Sequence, residues 1–225
     1  MGDHTCIGPH VVIAGRTTIG RKNEIYSFSS LGEAPQDLTY AGEDTCLEIG
    51  DENIIREYCT INRGTVKGGE VTRIGNKNYF MAYAHAGHDC VIGDHNTFVN
   101  YSALSGHVCV ENYVTLGAYS AIHQFCRLGA YCFVARATYV PKDILPFTMT
   151  SGYVAEACGV NTVGLKRNGY NSEQVENIRR AYKIIFRRGL TVQQAVVELY
   201  EMVAKCPEVK PLIEALENTK RGIVR

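Results

Sequence analysis

The sequence lacks an excess of either charge, a paired-cysteine motif and a long apolar run. Lysine plus arginine and aspartate plus glutamate each total 23, so the overall charge does not favour a nucleic acid or an acidic surface as a partner. The nine cysteines form no CxxC pair, which argues against disulfides and metal-binding cysteine clusters. No apolar stretch approaches the roughly 20 residues of a membrane span, and residues 1–20 carry no signal-peptide pattern. We therefore expect a soluble, cytoplasmic protein without stable membrane insertion.

What the sequence does have is an apolar residue at every sixth position. In the longest stretch this ladder consists of Ile74, Phe80, Ala86, Ile92, Phe98, Leu104, Val110, Leu116, Ile122, Leu128, Val134 and Val140. Neither a helix, with period 3.6, nor a flat strand, with period 2, produces a period of six. A coil with three short flat sides does, because each side points one residue at a central axis. The pattern predicts a triangular parallel β-helix with about 18 residues per coil.

Two further residue classes accompany the ladder. Small residues such as Ala84, Cys90 and Cys132 stand two positions before it. Glycines such as Gly75 and Gly87 directly follow it, as tight corners between short strands require. We therefore interpret several cysteines as reduced core residues.

The ladder is interrupted twice and then gives way to helical sequence. The interruptions at 32–46 and 62–72 are rich in glycine and polar residues and are predicted loops; loops that leave a regular solenoid often carry function. Three helices are predicted afterwards, one capped by Ser172 and closing near Gly189, one capped by Thr191 and running to Lys205, and one over 208–217. The expected organisation is a β-helix over 1–150 and a linker with an α-helical domain over 151–225.

Residues 18 apart should stack in neighbouring coils, about 4.8 Å from each other. His88, Gly106 and Gln124 have this spacing, and so do Asp89 and His107. A histidine, a glycine amide and polar partners therefore converge on one corner, which is the first indication of a functional site.

Several strings in the sequence resemble a known family. They are NEIYSFSSLGEAPQDLTYAGE (23–43), HAGHD (85–89), LSGHV (104–108), IHQFC (122–126) and GVNTVGLKRNGY (159–170). Together they resemble the acyl-carrier-protein-dependent UDP-N-acetylglucosamine O-acyltransferases, left-handed β-helix enzymes of hexapeptide repeats that begin lipid A synthesis. The resemblance implies a homotrimer with active sites in the clefts between neighbouring coils, and no metal or other cofactor. The implied reaction transfers a 3-hydroxyacyl chain from acyl carrier protein to the glucosamine 3-hydroxyl of UDP-N-acetylglucosamine.

The resemblance also implies roles for individual residues. His88 matches the general base, Asp89 the carboxylate that orients it, and Gly106 the oxyanion donor. Substrate-binding positions are implied for Gln36, Asp37, His85, His107, His123, Gln124, Asn161 and Arg167. Simpler interpretations remain open for some of these: His85, His107 and His123 as scaffold, Asp37 as a loop cap, and Arg167 as part of a surface ion pair.

A basic cluster lies in the first predicted C-terminal helix. It comprises Arg179, Arg180, Lys183, Arg187 and Arg188. Acyl carrier proteins are acidic, so this face is a candidate docking surface. The alternative is a solvated helix face neutralised by glutamates.

The sequence departs from the family pattern at several places. It starts about two coils later than the family pattern. Thr39 stands where the family commonly has lysine, Val163 replaces an acidic residue and Asn62 replaces a histidine. Arg136 stands where the family can have glycine near the acyl groove, which predicts a shorter acyl chain.

Other functions on this fold stay open at this stage. One alternative is a γ-type carbonic anhydrase, which binds zinc through histidines. His85 and His88 are candidate zinc ligands, but such a site needs three properly placed histidine ligands. The related N-acyltransferase of the same pathway normally carries an added N-terminal domain, for which this chain has no room. A catalytically silent paralogue that binds the nucleotide sugar is a third alternative, suggested by the departures.

Overall fold

Each coil contributes one short strand to each of three sheets, and the computed structural model describes residues 1–225. The first sheet consists of β1 (Cys6–Ile7), β4 (Glu24–Ile25), β7 (Ile54–Ile55), β10 (Tyr79–Phe80), β13 (Thr97–Phe98), β16 (Thr115–Leu116), β19 (Phe133–Val134), β21 (Thr148–Ser151) and β22 (Glu156–Val160). The second consists of β2 (Val12–Ile13), β5 (Ser30–Glu33), β8 (Thr60–Asn62), β11 (His85–Ala86), β14 (Ala103–Leu104), β17 (Ala121–Ile122) and β20 (Tyr139–Val140). The third consists of β3 (Arg16–Ile19), β6 (Cys46–Ile49), β9 (Val71–Ile74), β12 (Val91–Ile92), β15 (Cys109–Val110) and β18 (Arg127–Leu128). The predicted left-handed parallel β-helix is confirmed.

Strand register follows the predicted coil length. Tyr79 pairs with Thr97, 18 residues on, and every pairing is parallel except that of β21 with β22. Longer separations mark the two loops, as when Glu24 pairs with Ile54 and Ile54 with Tyr79. The loops span 34–45 and 63–70, shorter than the predicted 32–46 and 62–72, because β5, β6, β8 and β9 extend into the predicted ranges.

The ladder forms the core. All twelve ladder residues from Ile74 to Val140 are at most 3% exposed. Ala84, Cys90 and Cys132 are also buried, and burial raises the pKa of the Cys90 thiol to about 12, which keeps it protonated and unreactive.

The glycines after the ladder are not required by tight corners, as was predicted. The corner residues with left-handed backbone are not these glycines but non-glycine residues three positions after the ladder, including Tyr83 and Asp89. A Cβ on Gly75 would lie 2.6 Å from the Gly93 carbonyl oxygen, and one on Gly87 would lie 2.9 Å from the Gly106 nitrogen. Glycine is therefore required by close packing of successive coils.

Four α-helices follow the coils. They are α1 (Thr162–Arg167), α2 (Ser172–Arg187), α3 (Val192–Val203) and α4 (Lys210–Asn218). The prediction that Ser172 caps α2 is wrong: Asn171 caps it, in a reciprocal capping box with Gln174. Thr191 caps α3 as predicted, but that helix ends two residues before Lys205. A single 3-10 turn (Pro207–Val209) precedes α4, so the third predicted helix begins later than position 208. Neither α1 nor the β21–β22 hairpin was predicted.

The helices pack against the last coil. Leu145 and Phe147 from the end of the β-helix share an apolar cluster with Ile178 and Ile185 of α2. The chain then returns to the coils, where the Val224 N–H donates to the Asp143 carbonyl at 2.9 Å. None of the four α-helices combines the length and apolar character that crossing a membrane requires.

Candidate active site

His88 and Asp89 form a hydrogen-bonded pair at the corner between the second and third sheets. The His88 Nδ1–H donates to the Asp89 Oδ2 at 2.7 Å. The Asp89 side chain is 1% exposed and that of His88 is 14% exposed. With the donated proton on Nδ1, the lone pair of a neutral imidazole lies on Nε2, which faces away from the carboxylate. This arrangement is that of a general base with an orienting carboxylate.

The second loop holds Asp89 in place. The Thr65 N–H donates to Asp89 Oδ1 at 2.7 Å and the Thr65 hydroxyl to Oδ2 at 2.6 Å. Thr65 also caps the 3-10 turn Val66–Gly68, while the Asp89 N–H donates to the Thr72 hydroxyl at 2.8 Å. Sequence reasoning missed Thr65 and Thr72; the only signal was that the second interruption of the ladder ends less than one coil before the HAGHD string.

Gly106 lies in the next coil against the His88 ring. A Cβ at Gly106 would be 2.5 Å from His88 Cε1 and 2.7 Å from Nε2. Like the amides of Ala82 and Asn100 at equivalent corner positions, the Gly106 N–H makes no hydrogen bond within the chain. A free N–H donor beside a histidine Nε2 is the geometry that an oxyanion donor and a base require.

A cavity of about 290 Å³ opens at this corner. Gln36, His85, His88, Gly106 and Gln124 line it, so five of the predicted site residues meet there. His85 Nδ1 lies 2.7 Å from the Thr60 hydroxyl, and burial lowers the pKa of His85. The imidazole of His85 is therefore held neutral and available for hydrogen bonding.

The first loop brings Asp37 to the same corner. The Thr39 N–H and hydroxyl each donate to Asp37 Oδ1 at 2.9 Å and lower the pKa of that carboxyl, with the charges of Lys67 and His88 acting in the same direction. Lys67 Nζ donates to the Thr39 hydroxyl at 2.6 Å. The absence of a lysine at position 39 therefore does not leave Asp37 without a nearby cation, because Lys67 of the second loop contacts Thr39 and its charge acts on Asp37.

Asn62 ties the first loop to the coils. Its Nδ2 donates to the Ala34 carbonyl at 2.8 Å, and the side chain is buried. The asparagine found where the family has histidine thus helps to hold the loop that carries Gln36 and Asp37.

His107 and His123 lie at the edge of the site. His107 Nε2 is 3.7 Å from Asp89 Oδ2, its ring stacks on Phe125 at 4.4 Å, and burial lowers its pKa. His123 Nδ1 lies 3.1 Å from the Gln124 carbonyl oxygen, and the residue is not among those that line the cavity. His107 therefore lies beside the His88–Asp89 pair, while His123 flanks the site.

Asn161 and Arg167 lie on a different side of the prism. They line a separate cavity of about 310 Å³ with Thr115, Phe133 and Met149 of the first sheet. Asn161 caps α1 by accepting from the Gly164 N–H at 3.0 Å. No residue is shared by the two cavities, so one chain does not bring Asn161 and Arg167 to His88.

The basic residues of α2 have different surroundings. Arg179 is paired with Glu176 at 3.5 Å, Arg180 donates to the Asn177 side-chain oxygen at 2.5 Å, and Arg187 lies over the Tyr182 ring. Arg188 forms an ion pair with Glu198. Lys183 is exposed and has no carboxylate within 4 Å, so the face is only partly neutralised.

His88, Asp89 and His107 are the residues best placed to hold a metal ion. Their donor atoms lie within 4.8 Å of one another, and two imidazoles with a carboxylate can bind zinc. Both Asp89 oxygens already accept hydrogen bonds from Thr65, so a cation would compete with them. His85 is not part of this cluster, which means that the three histidines of a carbonic anhydrase do not come together within the chain.

The site lies in a chain that resembles known acyltransferases throughout. Residues 143–224 match a family model described as "Udp N-acetylglucosamine O-acyltransferase; Domain 2". The UDP-N-acetylglucosamine O-acyltransferase of Moraxella catarrhalis is 45% identical, with a TM-score of 0.95 over 100% of this chain and 90% of that one. For the Acinetobacter baumannii and Francisella novicida proteins the values are 44% and 39% identity, with TM-scores of 0.98 over 100% of this chain and 88% and 83% of theirs. The chain belongs to the UDP-N-acetylglucosamine O-acyltransferase family.

Proposed function

We propose that this protein transfers a 3-hydroxyacyl chain from acyl carrier protein to the glucosamine 3-hydroxyl of UDP-N-acetylglucosamine. The observation that carries the proposal is the His88–Asp89 pair, hydrogen-bonded at 2.7 Å, with the His88 ring packed against Gly106, whose N–H makes no hydrogen bond within the chain. A base, its orienting carboxylate and an oxyanion donor are what acyl transfer to a hydroxyl requires. The same chemistry begins lipid A synthesis in this family.

In the proposed mechanism His88 Nε2 takes the proton of the sugar hydroxyl as its oxygen attacks the thioester carbonyl. The Gly106 N–H donates to the oxyanion that forms. The tetrahedral intermediate collapses, the carbon–sulfur bond breaks, and His88 returns the proton to the thiolate of the carrier. Asp89, held in place by Thr65, orients His88 and stabilises the imidazolium that forms. One preorganised oxyanion donor contributes about 3 kcal/mol to such a reaction.

The acceptor would be bound by two copies of the chain. Gln36 and Asp37 on the first loop hold the sugar beside His88, where His85 and Gln124 also line the cavity. Asn161 and Arg167 hold the nucleoside diphosphate, since a guanidinium can bind two phosphate oxygens. These two residues line the other cavity. They therefore complete the site together with His88 of a neighbouring subunit, in an active form that is a homotrimer.

Acyl carrier protein would dock on the basic face of α2. Arg179, Lys183 and Arg187 follow each other at four-residue spacing and therefore lie on one face. Acidic partners are steered by such faces. Arg180 belongs to the face by position, but its hydrogen bond to Asn177 gives it a structural role as well.

A transfer assay tests the proposed function. The native chain is mixed with 3-hydroxyacyl carrier proteins of graded chain length and with UDP-N-acetylglucosamine or its 3-amino analogue, and His88→Ala is run beside it. The proposal expects product from the native chain and a loss of about 10²- to 10⁴-fold in the variant. The exposed Arg136 leads us to expect a preference for short donors. No product with any donor would favour a silent nucleotide-sugar-binding protein instead.

A further inference from the structure

Arg63, the first residue of the second loop, is bonded to the first loop rather than to an acidic side chain. Its Nη1–H donates to the Gly32 carbonyl at 2.9 Å and its Nη2–H to the Tyr40 hydroxyl at 2.8 Å. The guanidinium carbon lies 5.5 Å from the centre of the Tyr40 ring, within the range of a cation–π contact. No carboxylate oxygen lies within 4 Å of a guanidinium nitrogen of Arg63. Both arms of the guanidinium are therefore used on the first loop.

These contacts close the base of the first loop, which spans 34–45. Gly32 lies just before the loop, and Tyr40 lies on its returning half. The Tyr40 hydroxyl also donates to the Glu43 carbonyl at 2.7 Å, so the bond from Arg63 is continued into the end of the loop. Joining the two ends of a loop restricts the conformations that are open to its tip.

Few other contacts hold the tip of the loop between these attachment points. The side chains that hydrogen-bond to residues 34–45 from elsewhere in the chain are those of Arg16, Asn62, Arg63 and Lys67. The contacts of Arg16 and Lys67 are exposed, and Asn62 reaches only the first residue of the loop. Arg63 is therefore the one partly buried side chain that bonds to the returning half.

The second loop thus supports both sides of the candidate active site. Its Thr65 holds Asp89, the partner of the proposed base. Its Arg63 holds the loop that carries Asp37 and Gln36, and Gln36 lines the active-site cavity. Reactions of this kind are sensitive to small displacements of the groups that position a substrate. The contacts of Arg63 therefore bear on how the acceptor is placed.

We propose that Arg63 is a positioning residue for the acceptor, which closes the base of the first loop and so holds Gln36 and Asp37 where they bind the sugar. This role rests on the proposed function, in which the nucleoside diphosphate is held separately by Asn161 and Arg167 of a neighbouring copy. Loss of the Arg63 contacts therefore weakens binding of the sugar and spares binding of the diphosphate.

Calorimetric titration of the native chain and of Arg63→Lys with UDP-N-acetylglucosamine and with UDP tests this role. Lysine keeps the charge but has no fork that reaches both the Gly32 carbonyl and the Tyr40 hydroxyl. We expect the dissociation constant for UDP-N-acetylglucosamine to rise about tenfold, as for the loss of one hydrogen bond to a charged group. The dissociation constant for UDP should stay unchanged, which also shows that the variant is folded and assembled.

Arg16→Lys is the matched control. Arg16 also contacts the first loop, but through an ion pair with Asp44 in which both side chains are exposed, and such pairs contribute little. This variant should change neither dissociation constant. Tyr40→Phe removes the hydroxyl that accepts from Arg63, so it should raise the constant for the sugar nucleotide and leave that for UDP unchanged.

An unchanged constant for the sugar nucleotide in Arg63→Lys, or an equal rise for both ligands, would overturn the positioning role. The transfer assay, run on the same samples, separates this failure from failure of the proposed function. A native chain that transfers acyl groups, with normal binding of both ligands by Arg63→Lys, would refute the role of Arg63 alone. A native chain that binds the sugar nucleotide without transfer, with selective loss in Arg63→Lys, would support that role and refute the proposed function. A native chain that does not bind UDP-N-acetylglucosamine would refute both.

Discussion

At the scale of single residues, the site depends on groups that hold His88 rather than on His88 alone. Asp89 is 1% exposed on its side chain and accepts three hydrogen bonds, from His88 and twice from Thr65. These donors hold the carboxylate in one orientation. The orientation of His88 is thus fixed by the second loop, which the periodic sequence identifies only as an interruption.

Replacing Thr65 by valine tests this dependence. The change removes the hydroxyl donor to Asp89 Oδ2 but keeps the backbone N–H donor to Oδ1. Because a hydrogen bond to a charged group contributes about 1.5–3 kcal/mol, we expect kcat to fall about 10- to 100-fold with little change in KM. The pH–rate profile should shift as well, since the base loses part of its partner. Thr65→Ser keeps the hydroxyl and should restore kcat; equal loss in both variants would assign Thr65 to packing.

Buried histidines should make stability depend on pH. Burial lowers the pKa of His85 and of His107 in the folded protein, whereas the unfolded chain titrates near 6.5. Below that pH the unfolded state binds more protons, so the free energy of unfolding falls as pH drops from 6.5 towards the folded pKa values, by at most about 1.4 kcal/mol per pH unit for each group. Urea unfolding at pH 7.5 and 5.5 measures the loss. His85→Gln should show a smaller loss than the native chain, and an identical loss would refute this account.

At the scale of elements, the coils are joined by side-chain ladders as well as by strands. A buried asparagine column stands at the corner between the third and first sheets. The Asn53, Asn78 and Asn96 backbone N–H groups each donate to the side-chain oxygen of the preceding asparagine at 2.9 Å. The column starts at Asn23 and ends where Val114 donates to Asn96. These bonds satisfy backbone donors that the tight corners would otherwise leave buried and unpaired.

Removing one member of this column should be costly. Asn78→Ala leaves the Asn96 N–H without its acceptor and the Gly93 carbonyl without its side-chain donor. Unsatisfied buried groups cost about 1–3 kcal/mol each, so we expect the free energy of unfolding to fall by about 2–4 kcal/mol. Chemical denaturation at one protein concentration measures it. Gln193→Ala, at an exposed position of α3, should change stability by no more than about 0.5 kcal/mol. A similar small change for both variants would contradict the role of the column.

Helix α2 offers the second test at this scale. The double variant Arg179→Glu/Lys183→Glu should repel an acidic carrier protein rather than attract it. The KM for the carrier protein should therefore rise about tenfold at low salt and less at high salt. The KM for the sugar nucleotide should not change. Lys210→Glu on α4 is the control, since Lys210 is already paired with Glu214. An unchanged KM for the carrier at low salt would exclude this face as its docking surface.

Elements with a strict repeat were the part that the sequence could predict. The step of six predicts which residues point inward, and the spacing of 18 predicts that His88 stacks against Gly106. The sequence does not predict the contacts of Thr65 and Lys67 because the loop that carries them has no periodicity. The sequence does not distinguish Asn171 from Ser172 as the N-cap of α2, because both residue types are good N-caps. The reciprocal hydrogen bonds between Asn171 and Gln174 identify Asn171 as the cap.

At the scale of the whole molecule, the two halves of the site belong to different faces. His88 and Gly106 line one cavity, and Asn161 and Arg167 line the other. The sequence could not reveal this separation, since spacing along a solenoid predicts which residues stack but not how copies of the chain are arranged. Under the proposed function the assembly therefore has a catalytic role, because a single chain would present His88 without Asn161 and Arg167.

Subunit mixing tests that claim most directly. His88→Ala and Arg167→Ala trimers are each assayed alone at low sugar-nucleotide concentration, then dissociated, mixed and reassembled. The account predicts that activity in the mixture rises well above the sum of the two variants, because some clefts then combine an intact His88 from one copy with an intact Arg167 from its neighbour. Activity equal to that sum would contradict the account and place the complete site within one chain.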